Sequence, residues 1–346
     1  MRQDAPTVVD RGQYPDATTP WERDAWRDAA LGWAADELAA HGLRVTGRRS
    51  VRLRPWSVLV RLSVEGDGRP SGGGNGRVHD TVWFKANPPA SAFEAGLTWA
   101  LSRWVPEHVL TPLAVDADRS WSLLPDGGEL FRDVLDRGPT DPHAWEEPLR
   151  RYASLQRALV PYADEIELLG VPGARTATLP EVFDRAVAAN TVLSGADRER
   201  LRALRPRLAD WCAELAAVGV PDSLDHSDLH EGQLFHPVPG RFTFFDWGDA
   251  AVTHPLCSFL VIGRTARERY GPGVLPRLRD AYLEPWTGDG RTPADLRRAV
   301  PLAWRLGALC RADSWGRLFP EAAGAAGAGA EASAHWLLQL LEQPPL

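Results

Sequence analysis

Strand and helix patterns are unevenly distributed along the 346 residues, and this division limits the folds that the chain can adopt. Period-two alternation of apolar residues is confined to the first third and is clearest in residues 57–64. The predicted strands, of which the first three resemble an antiparallel meander, are residues 43–51, 57–64, 81–86, 109–115 and 120–124. Beyond Glu129 the apolar spacing is mostly helical.

The turn-rich residues 125–128 separate these two parts, and we interpret them as a hinge between two lobes. The predicted N-terminal lobe is residues 1–124, and the predicted C-terminal lobe is residues 129–346. Helices of the second lobe are predicted at residues 144–159, 179–189, 196–218, 256–270, 293–318 and 321–341. The glycine-rich residues 66–77 are predicted to form a hairpin tip rather than a phosphate loop, because no helix follows them.

Residues 20–41 are predicted to form the N-terminal helix. Thr19 is the predicted N-cap, with Pro20 at the first helical position, Glu22 completing a capping box, and Gly42 as the stop. The predicted apolar face, which we expect to cover a sheet, consists of Trp26, Ala30, Trp33, Glu37 and the neighbouring Leu38.

Composition excludes several classes of function. Hydrophobic residues make up 44% and charged residues 25% of the chain, as in an ordinary soluble globular protein. Apolar runs are too short to cross a bilayer and the N-terminus lacks the pattern of a signal peptide, so we expect a cytoplasmic protein without a membrane partner. The net charge is -7 and basic residues do not interleave with aromatic ones, so no nucleic-acid partner is expected. The three cysteines predict neither a disulfide framework nor a zinc cluster.

Lys85 is the only lysine among 39 lysines and arginines, and it lies at the end of the third predicted strand. A compact ammonium serves purposes that a planar guanidinium cannot, which makes this exception informative. The helix predicted at residues 91–104 follows directly and carries Glu94 in its first turn. Protein kinases use a strand lysine and a helix glutamate in this order to hold the phosphates of ATP. A solvated Glu94 favoured by the helix dipole is the alternative.

Residues 224–250 concentrate polar side chains around a predicted loop and hairpin. Phosphoryl transfer needs a carboxylate that accepts the hydroxyl proton, oxygen ligands for Mg²⁺ and cations on the phosphates. An Asp, a carboxamide five positions later, a hairpin and a second Asp follow the protein-kinase order of base, metal ligand and metal ligand. This pattern assigns Asp228 as the catalytic base, and Gln233 and Asp246 as metal ligands.

At these motifs the chain resembles the aminoglycoside phosphotransferase family, whose relatives include choline kinases, homoserine kinases and maltokinases and which shares the protein-kinase fold. The resemblance is carried by HSDLHEGQ at residues 226–233 and DWGD at residues 246–249, with FKA around Lys85 and LLPDGGEL at residues 123–130 as weaker matches. It implies an α+β fold with a five-stranded antiparallel sheet and a helix in the N-terminal lobe, and a mainly helical C-terminal lobe. It also implies ATP and Mg²⁺, as two ions, as cofactors.

The resemblance further implies that Lys85 clamps the ATP phosphates, that Glu94 holds Lys85, and that Leu124 and Asp126 lie in an adenine-binding hinge. Three features depart from the family pattern. Gln233 replaces the usual Asn but keeps the carboxamide oxygen, and Ser227 stands where Gly is frequent and is expected to change little. The third is that no GxGxxG motif links the first strands, so the phosphates are expected under an irregular loop near residues 49–57.

Two rival functions stay open. His226, Asp228 and His230 alternate as HxDxH, a pattern that could bind zinc in a metal-dependent hydrolase. A non-catalytic pseudokinase is the second rival, because a fold does not determine a function.

The acceptor is expected to be a small molecule bearing a hydroxyl group, bound by the C-terminal lobe beside Asp228. Asp and Trp side chains suit a sugar or a cationic aminocyclitol. The DWGD motif resembles antibiotic phosphotransferases more than the Asp-Phe turn of maltokinases, so antibiotic modification is favoured over a maltokinase-like or glucosamine kinase-like activity. No oligomeric state is predicted. The candidate acceptor residues are Trp247, Asp249, Arg311, Asp313, Trp315 and Arg317.

Overall fold

The structure, a computed structural model, describes residues 9–12, 18–66, 81–138, 141–238, 240–318 and 326–346. Within these ranges the strands are β1 (Arg44–Arg54), β2 (Ser57–Glu65), β3 (Thr81–Ala86), β4 (Ala114–Asp116), β5 (Trp121–Pro125), β6 (Ser223–Asp225), β7 (Leu234–Val238), β8 (Arg241–Phe244) and β9 (Ala251–Thr253). The α-helices are α1 (Asp24–Ala40), α2 (Glu94–Trp104), α3 (Phe131–Asp136), α4 (Glu146–Leu159), α5 (Ala163–Leu168), α6 (Leu179–Ala189), α7 (Gly195–Ala217), α8 (Phe259–Tyr270), α9 (Leu275–Leu283), α10 (Pro293–Leu318) and α11 (Ala326–Gln339). Except for Gly66, the predicted hairpin tip lies outside the described residues.

Five strands form one antiparallel sheet in the order β1-β2-β3-β5-β4, which confirms the expected five-stranded sheet. The register places Lys85 opposite Leu59 of β2 and Ser122 of β5, so the lysine lies on a strand that is paired on both sides. The strand predicted at residues 109–115 was too long. Only the three residues Ala114–Asp116 join the sheet, because the backbone near Val109 bridges to Phe244 of β8 instead.

Helix α1 packs beside the sheet, as predicted, but it begins later than predicted. Pro20–Glu22 forms a 3₁₀ turn, and the α-helix starts at Asp24. The predicted capping box does not form, because Glu22 binds Arg11 at 2.5 Å and Thr19 Oγ1 is buried without a hydrogen-bond partner.

The buried face of α1 also differs from the predicted stripe. The buried residues of the helix are Ala30, Ala34 and Leu38. Trp26 and Trp33 flank this small-residue face and pack against Trp121 of β5, each with ring centroids 5.7 Å apart. Glu37 is not among the buried residues. The small side chains let the helix backbone approach its neighbours, while the two larger rings lie at the sides.

The part of the chain beyond the sheet is mainly helical, as expected. One large hydrophobic core contains residues of α4, α6, α7, α8, α9 and α10, and a second core lies between the sheet and α1. Helix α2 contributes Leu97 and Leu101 to the large core, so Glu94 at its start is anchored to the helical part of the protein. The start of the helix predicted at residues 321–341 lies outside the described residues. No helix among the described residues is both long enough and apolar enough to cross a membrane.

Two short, two-stranded ribbons position the loops that carry the acidic motifs. Strand β6 pairs with β9, and the chain leaves β6 directly into the loop that contains Asp228. Strands β7 and β8 form a hairpin that ends next to Asp246. The hydrogen bond from Phe245 N to Gln233 O, at 3.1 Å, joins the two ends of this hairpin. Gln233 and Asp246 are therefore brought together by local pairing.

Candidate active site

Lys85 lies at the centre of a buried ion cluster. Its Nζ donates to Glu94 Oε1 at 2.6 Å and also to a carboxylate oxygen of Asp246, although its side chain is only 7% exposed. Burial alone would lower the pKa of Lys85, but the carboxylates of Asp246 and Glu94 outweigh it and raise the pKa above its ordinary value. The lysine therefore stays charged and links β3, α2 and the acidic loop after β8.

Glu94 also helps to hold β3, α2 and the loop after β8 together. Its Oε1 also accepts the backbone N–H of Trp247 at 2.9 Å, and its Oε2 accepts from the side chain of Asn87. A Cβ at Gly248 would lie 3.1 Å from Glu94 Oε2, so the absence of a side chain there allows the loop to approach the glutamate closely. Asn87 was not identified from the sequence. The sequence signal that could have identified Asn87 is its position two residues after Lys85.

Asp246 and Gln233 are in direct contact, as their predicted shared role requires. Partial burial would raise the pKa of Asp246, but Lys85 and a hydrogen bond from the Gln233 side chain lower it below its ordinary value. Asp246 has left-handed backbone angles of φ 67° and ψ 58°, an uncommon conformation for a residue other than glycine. The amide of Gln233 faces this carboxylate through its NH2 group, and its carboxamide oxygen together with the ionised Asp246 would supply oxygen ligands of the kind that Mg²⁺ prefers, with further ligands from substrate phosphates.

Asp228 lies in the loop after β6 with 26% of its side chain exposed. Its Oδ1 lies 3.2 Å from Arg311 Nη2, while its Oδ2 lies 4.0 Å from His230 Nε2. Burial raises the pKa of Asp228 to about 6, with Arg311 opposing the rise and Asp249 adding to it. A carboxyl group with this pKa is suited to accept a proton near neutral pH.

Arg311 of α10 connects Asp228 to the second acidic motif. Its side chain is 7% exposed, and its Nη1 lies 3.3 Å from Asp249 Oδ1. Asp249 also accepts a hydrogen bond from Ser314 Oγ. Asp249 is thus held by two groups from one helix and is not a free carboxylate.

The remaining acceptor candidates differ in their surroundings. Asp313 accepts from Arg317 Nε at 3.0 Å, one helical turn away, and Trp315 is partly exposed on the same helix. Trp247 is only 1% exposed and packs against His226 with ring centroids 4.8 Å apart. Burial removes Trp247 from the acceptor candidates.

Residues 125–128 continue directly from β5. Asp126 accepts from Trp83 Nε1 at 3.3 Å and from Gly128 N at 2.8 Å. A Cβ at Gly127 would lie 2.2 Å from the ring of Phe235, so this ring packs directly on the backbone of residues 125–128. Phe235 stacks in turn on Phe245, with centroids 4.2 Å apart. These two rings connect residues 125–128 to Asp246, and the sequence analysis did not identify them.

The HxDxH pattern does not assemble a zinc site. His226 is fully buried, with Nε2 2.8 Å from the carbonyl oxygen of Phe245. His230 Nδ1 instead accepts from Gly232 N at 3.0 Å. Across the described ranges, no group of three His, Cys, Asp or Glu residues is arranged to hold a metal ion. This arrangement does not favour the hydrolase alternative.

The chain was also compared with models of known protein families. The model of the phosphotransferase enzyme family matches residues 90–297, which is more than half of the chain. The chain belongs to this family. As a member of the phosphotransferase family, it is a phosphotransferase enzyme, and Asp228, Gln233 and Asp246 all lie in the matched range. A search of curated proteins finds no match.

Solved structures of phosphotransferases share the fold. Macrolide 2'-phosphotransferase MphH from Brachybacterium faecium is 18% identical, with 89% of this chain and 98% of that chain covered and a TM-score of 0.55. A choline/ethanolamine kinase family protein from Mesorhizobium loti is 15% identical, with 92% and 95% covered and a TM-score of 0.54. The GDP complex of a mutant aminoglycoside 2'-phosphotransferase-IIIa is 13% identical, with 90% and 98% covered and a TM-score of 0.51. This family member therefore has the two-lobe, protein-kinase-like fold.

Proposed function

We propose that this phosphotransferase transfers the γ-phosphate of ATP to a hydroxyl group of a natural-product antibiotic, using Asp228 as the base. The observation that carries the chemistry is the joining of Lys85, Glu94 and Asp246 in one buried cluster. Lys85 would bind the phosphates, and Glu94 would hold its ammonium in place. GDP in the complex of the aminoglycoside phosphotransferase supports a nucleotide as the second substrate.

Asp246 and Gln233 would hold Mg²⁺, two ions in all, which would neutralise charge on the phosphates. Lys85 already bonds to Asp246, so the same aspartate would align the lysine with the metal site. Leu124 and Asp126 would contact the adenine, in a hinge of residues 125–128 between lobes of residues 1–124 and 129–346. Phe235 and Phe245 offer an aromatic surface between that hinge and the metal ligands.

Asp228 would accept the proton of the acceptor hydroxyl as the oxygen attacks the γ-phosphorus. Its two oxygens differ in this structure. Arg311 faces Oδ1, which leaves Oδ2 to accept the hydroxyl hydrogen bond. The guanidinium would also favour the ionised form of the base before transfer. Hydrogen bonding to one oxygen would aim the hydroxyl along the line of phosphoryl transfer.

The nature of the acceptor is proposed from the charges beside Asp228. Asp249 and Asp313, two carboxylates considered for a cationic acceptor, are paired with Arg311 and Arg317. Ammonium groups of an acceptor would have to compete with these internal cations. This pairing favours an antibiotic recognised mainly through its hydroxyl groups, with Trp315 as a surface for a sugar ring. A macrolide is one such candidate, and macrolide 2'-phosphotransferase MphH is among the similar structures.

The test is ATP consumption with a panel of acceptors: macrolides, aminoglycosides, peptide and nucleoside antibiotics, amino sugars, maltose, choline and ethanolamine. We expect one antibiotic class to stimulate ATP consumption and to acquire a phosphate detectable by mass spectrometry. Asp228→Ala should abolish this turnover, while Asp280→Asn, at a carboxylate paired with Arg297 and given no role in the site, is the control and should keep it. Equal turnover by wild type and Asp228→Ala would refute the assignment of the base.

A metabolite kinase is the second candidate function. The choline/ethanolamine kinase family protein from Mesorhizobium loti has a TM-score of 0.54, close to that of the macrolide enzyme. The same panel separates the two candidates. Phosphorylation of maltose, an amino sugar, choline or ethanolamine alone would replace the antibiotic proposal while preserving the proposed chemistry.

A further inference from the structure

Asp225 is a buried carboxylate that the proposed reaction does not use. It ends β6, three residues before Asp228, and is 1% exposed. Its Oδ1 accepts the backbone N–H of Ser227 at 2.8 Å and the hydroxyl of Ser258. The two donors on one carboxylate oxygen tie the loop after β6 and Ser258 to the same buried group.

Ser227 is the residue that needs such a restraint. Its φ of 61° lies in the left-handed region, which is unfavourable for a residue with a Cβ. The next residue is Asp228, so the backbone angles of Ser227 set the direction in which the base leaves the loop. Without the hydrogen bond to Asp225, the left-handed conformation of Ser227 would be less stable.

The contacts behind Asp225 form a chain of fully buried polar groups. Tyr152 OH accepts the backbone N–H of His226 at 2.9 Å and lies 3.0 Å from Ser258 Oγ. Because its hydroxyl accepts from His226, the Tyr152 proton is free to point to Ser258, and the Ser258 proton points to Asp225. Gln156 Nε2 donates to the same Ser258 oxygen at 3.2 Å. Consecutive backbone N–H groups of His226 and Ser227 are thus both held by this chain.

The same loop is tied to the metal-binding segment. His226 Nε2 lies 2.8 Å from Phe245 O, and Phe245 immediately precedes Asp246. A change in the backbone at His226 and Ser227 would therefore alter the distance between the base and the metal ligands.

On the basis of the proposed phosphotransferase function, we propose that Asp225 is a positioning residue. Its carboxylate holds Ser227 in the left-handed conformation and thereby aims Asp228 at the acceptor hydroxyl. Asp225 touches neither nucleotide nor acceptor. Its removal should consequently lower kcat and leave nucleotide binding unchanged, because the cluster of Lys85, Glu94 and Asp246 lies on other segments.

The test compares Asp225→Ala, which removes the oxygen that accepts from Ser227, with wild type in steady-state turnover and in calorimetric binding of a non-hydrolysable ATP analogue with Mg²⁺. We expect kcat to fall about 10- to 100-fold, the range for a misaligned catalytic group, with the dissociation constant for the analogue within about twofold. Asp222→Ala is the matched control, since Asp222 precedes the same strand but accepts from Thr176 N, at 3.2 Å, on another segment.

Ser227→Gly supplies a rescue that a merely structural role would not produce. Glycine adopts the left-handed conformation without a Cβ penalty, so it should depend less on the hydrogen bond to Asp225. The double variant Asp225→Ala with Ser227→Gly should regain at least half of the lost kcat on a logarithmic scale. Ser258→Ala, which removes one donor and keeps the carboxylate, should give an intermediate loss and is the variant to use if Asp225→Ala fails to fold.

Each outcome bears on one proposal only. Unchanged kcat in Asp225→Ala and Ser258→Ala, in an enzyme that turns over ATP, would overturn the positioning role. A loss that Ser227→Gly does not reduce would overturn the route through Ser227. Absence of ATP turnover and of analogue binding by the wild type would instead refute the proposed phosphotransferase function.

Discussion

Arg311 Nη2 lies 3.2 Å from Asp228 Oδ1, and the same buried guanidinium reaches Asp249 Oδ1 through Nη1 at 3.3 Å. One arginine from α10 thus neutralises charge beside the proposed base. The pKa of Asp228 stands at about 6 because burial raises it while Arg311 opposes the rise. Protonation of Asp228 should therefore abolish activity as the pH falls through about 6.

The first prediction concerns this acid limb. Arg311→Met keeps a long side chain but removes the charge that favours ionised Asp228, so the pKa of the base should rise. The acid limb of the kcat/KM profile should shift to higher pH by about one unit or more, which corresponds to about 1.4 kcal/mol of lost interaction. The measurement is kcat/KM from pH 5 to 9. Arg317→Met, which removes the partner of Asp313, should leave the limb in place. If the acid limb of Arg311→Met does not shift, Arg311 does not lower the pKa of Asp228.

The second prediction concerns Lys85. Lys85→Met leaves Glu94 and Asp246 without their shared cation, and breaking the buried pair with Glu94 in this way costs about 3–5 kcal/mol. We expect a lower melting temperature and at least a tenfold weaker affinity for Mg²⁺ with an ATP analogue, measured by thermal denaturation and calorimetry. Adding Glu94→Gln should recover part of the stability without recovering affinity. If Lys85→Met binds the ATP analogue with Mg²⁺ as tightly as wild type, Lys85 does not contribute to nucleotide binding.

The fold could be predicted largely from local pattern. Alternating residues in β2 and the spacing of α2 depend on burial of one face, which a sequence records directly. The errors arose where a distant residue competed for a local partner. Arg11 takes the carboxylate of Glu22 from the predicted capping box, and the backbone near Val109 pairs with β8 rather than extending β4.

In the candidate site, too, local motifs could be predicted from the sequence and contacts between distant residues could not. Lys85, Glu94, Gln233 and Asp246 were placed together from motif order, and the structure brings them together. The connection of Arg311 to Asp228 could not be derived, because 83 positions separate them and no local spacing encodes a contact between α10 and the loop after β6. The burial of Trp247 could likewise not be predicted, because it lies between the two aspartates of the DWGD motif.

The third prediction corrects the expectation that Ser227 changes little. Besides its positive φ, Ser227 has a buried hydroxyl without a hydrogen-bond partner. Ser227→Gly relieves both costs, against the extra chain entropy of glycine, and should raise the free energy of unfolding by about 1 kcal/mol. Ser227→Ala removes the hydroxyl but keeps the strained Cβ, so it should stabilise less than glycine. Urea denaturation measures both variants. A glycine variant no more stable than the alanine variant would mean that backbone strain is negligible.

The fourth prediction concerns His254, which is fully buried with no hydrogen-bond partner for either ring nitrogen. Burial lowers its pKa from 6.5 to about 3. The unfolded chain therefore binds more protons between these values, so the contribution of His254 to stability is present above about pH 6.5 and declines as the pH falls. The slope contributed by one such group approaches about 1.4 kcal/mol per pH unit.

His254→Gln should flatten the decline in the free energy of unfolding between pH 6.5 and 5, measured by urea denaturation at each pH. The opposite contributions of carboxyl groups such as Asp225, whose pKa burial raises, are common to both proteins and cancel in the comparison. His335→Gln, at an exposed position on α11, is the matched control and should reproduce the slope of the wild type. Identical slopes for wild type and His254→Gln would show that His254 binds a proton as readily in the folded protein as in the unfolded chain.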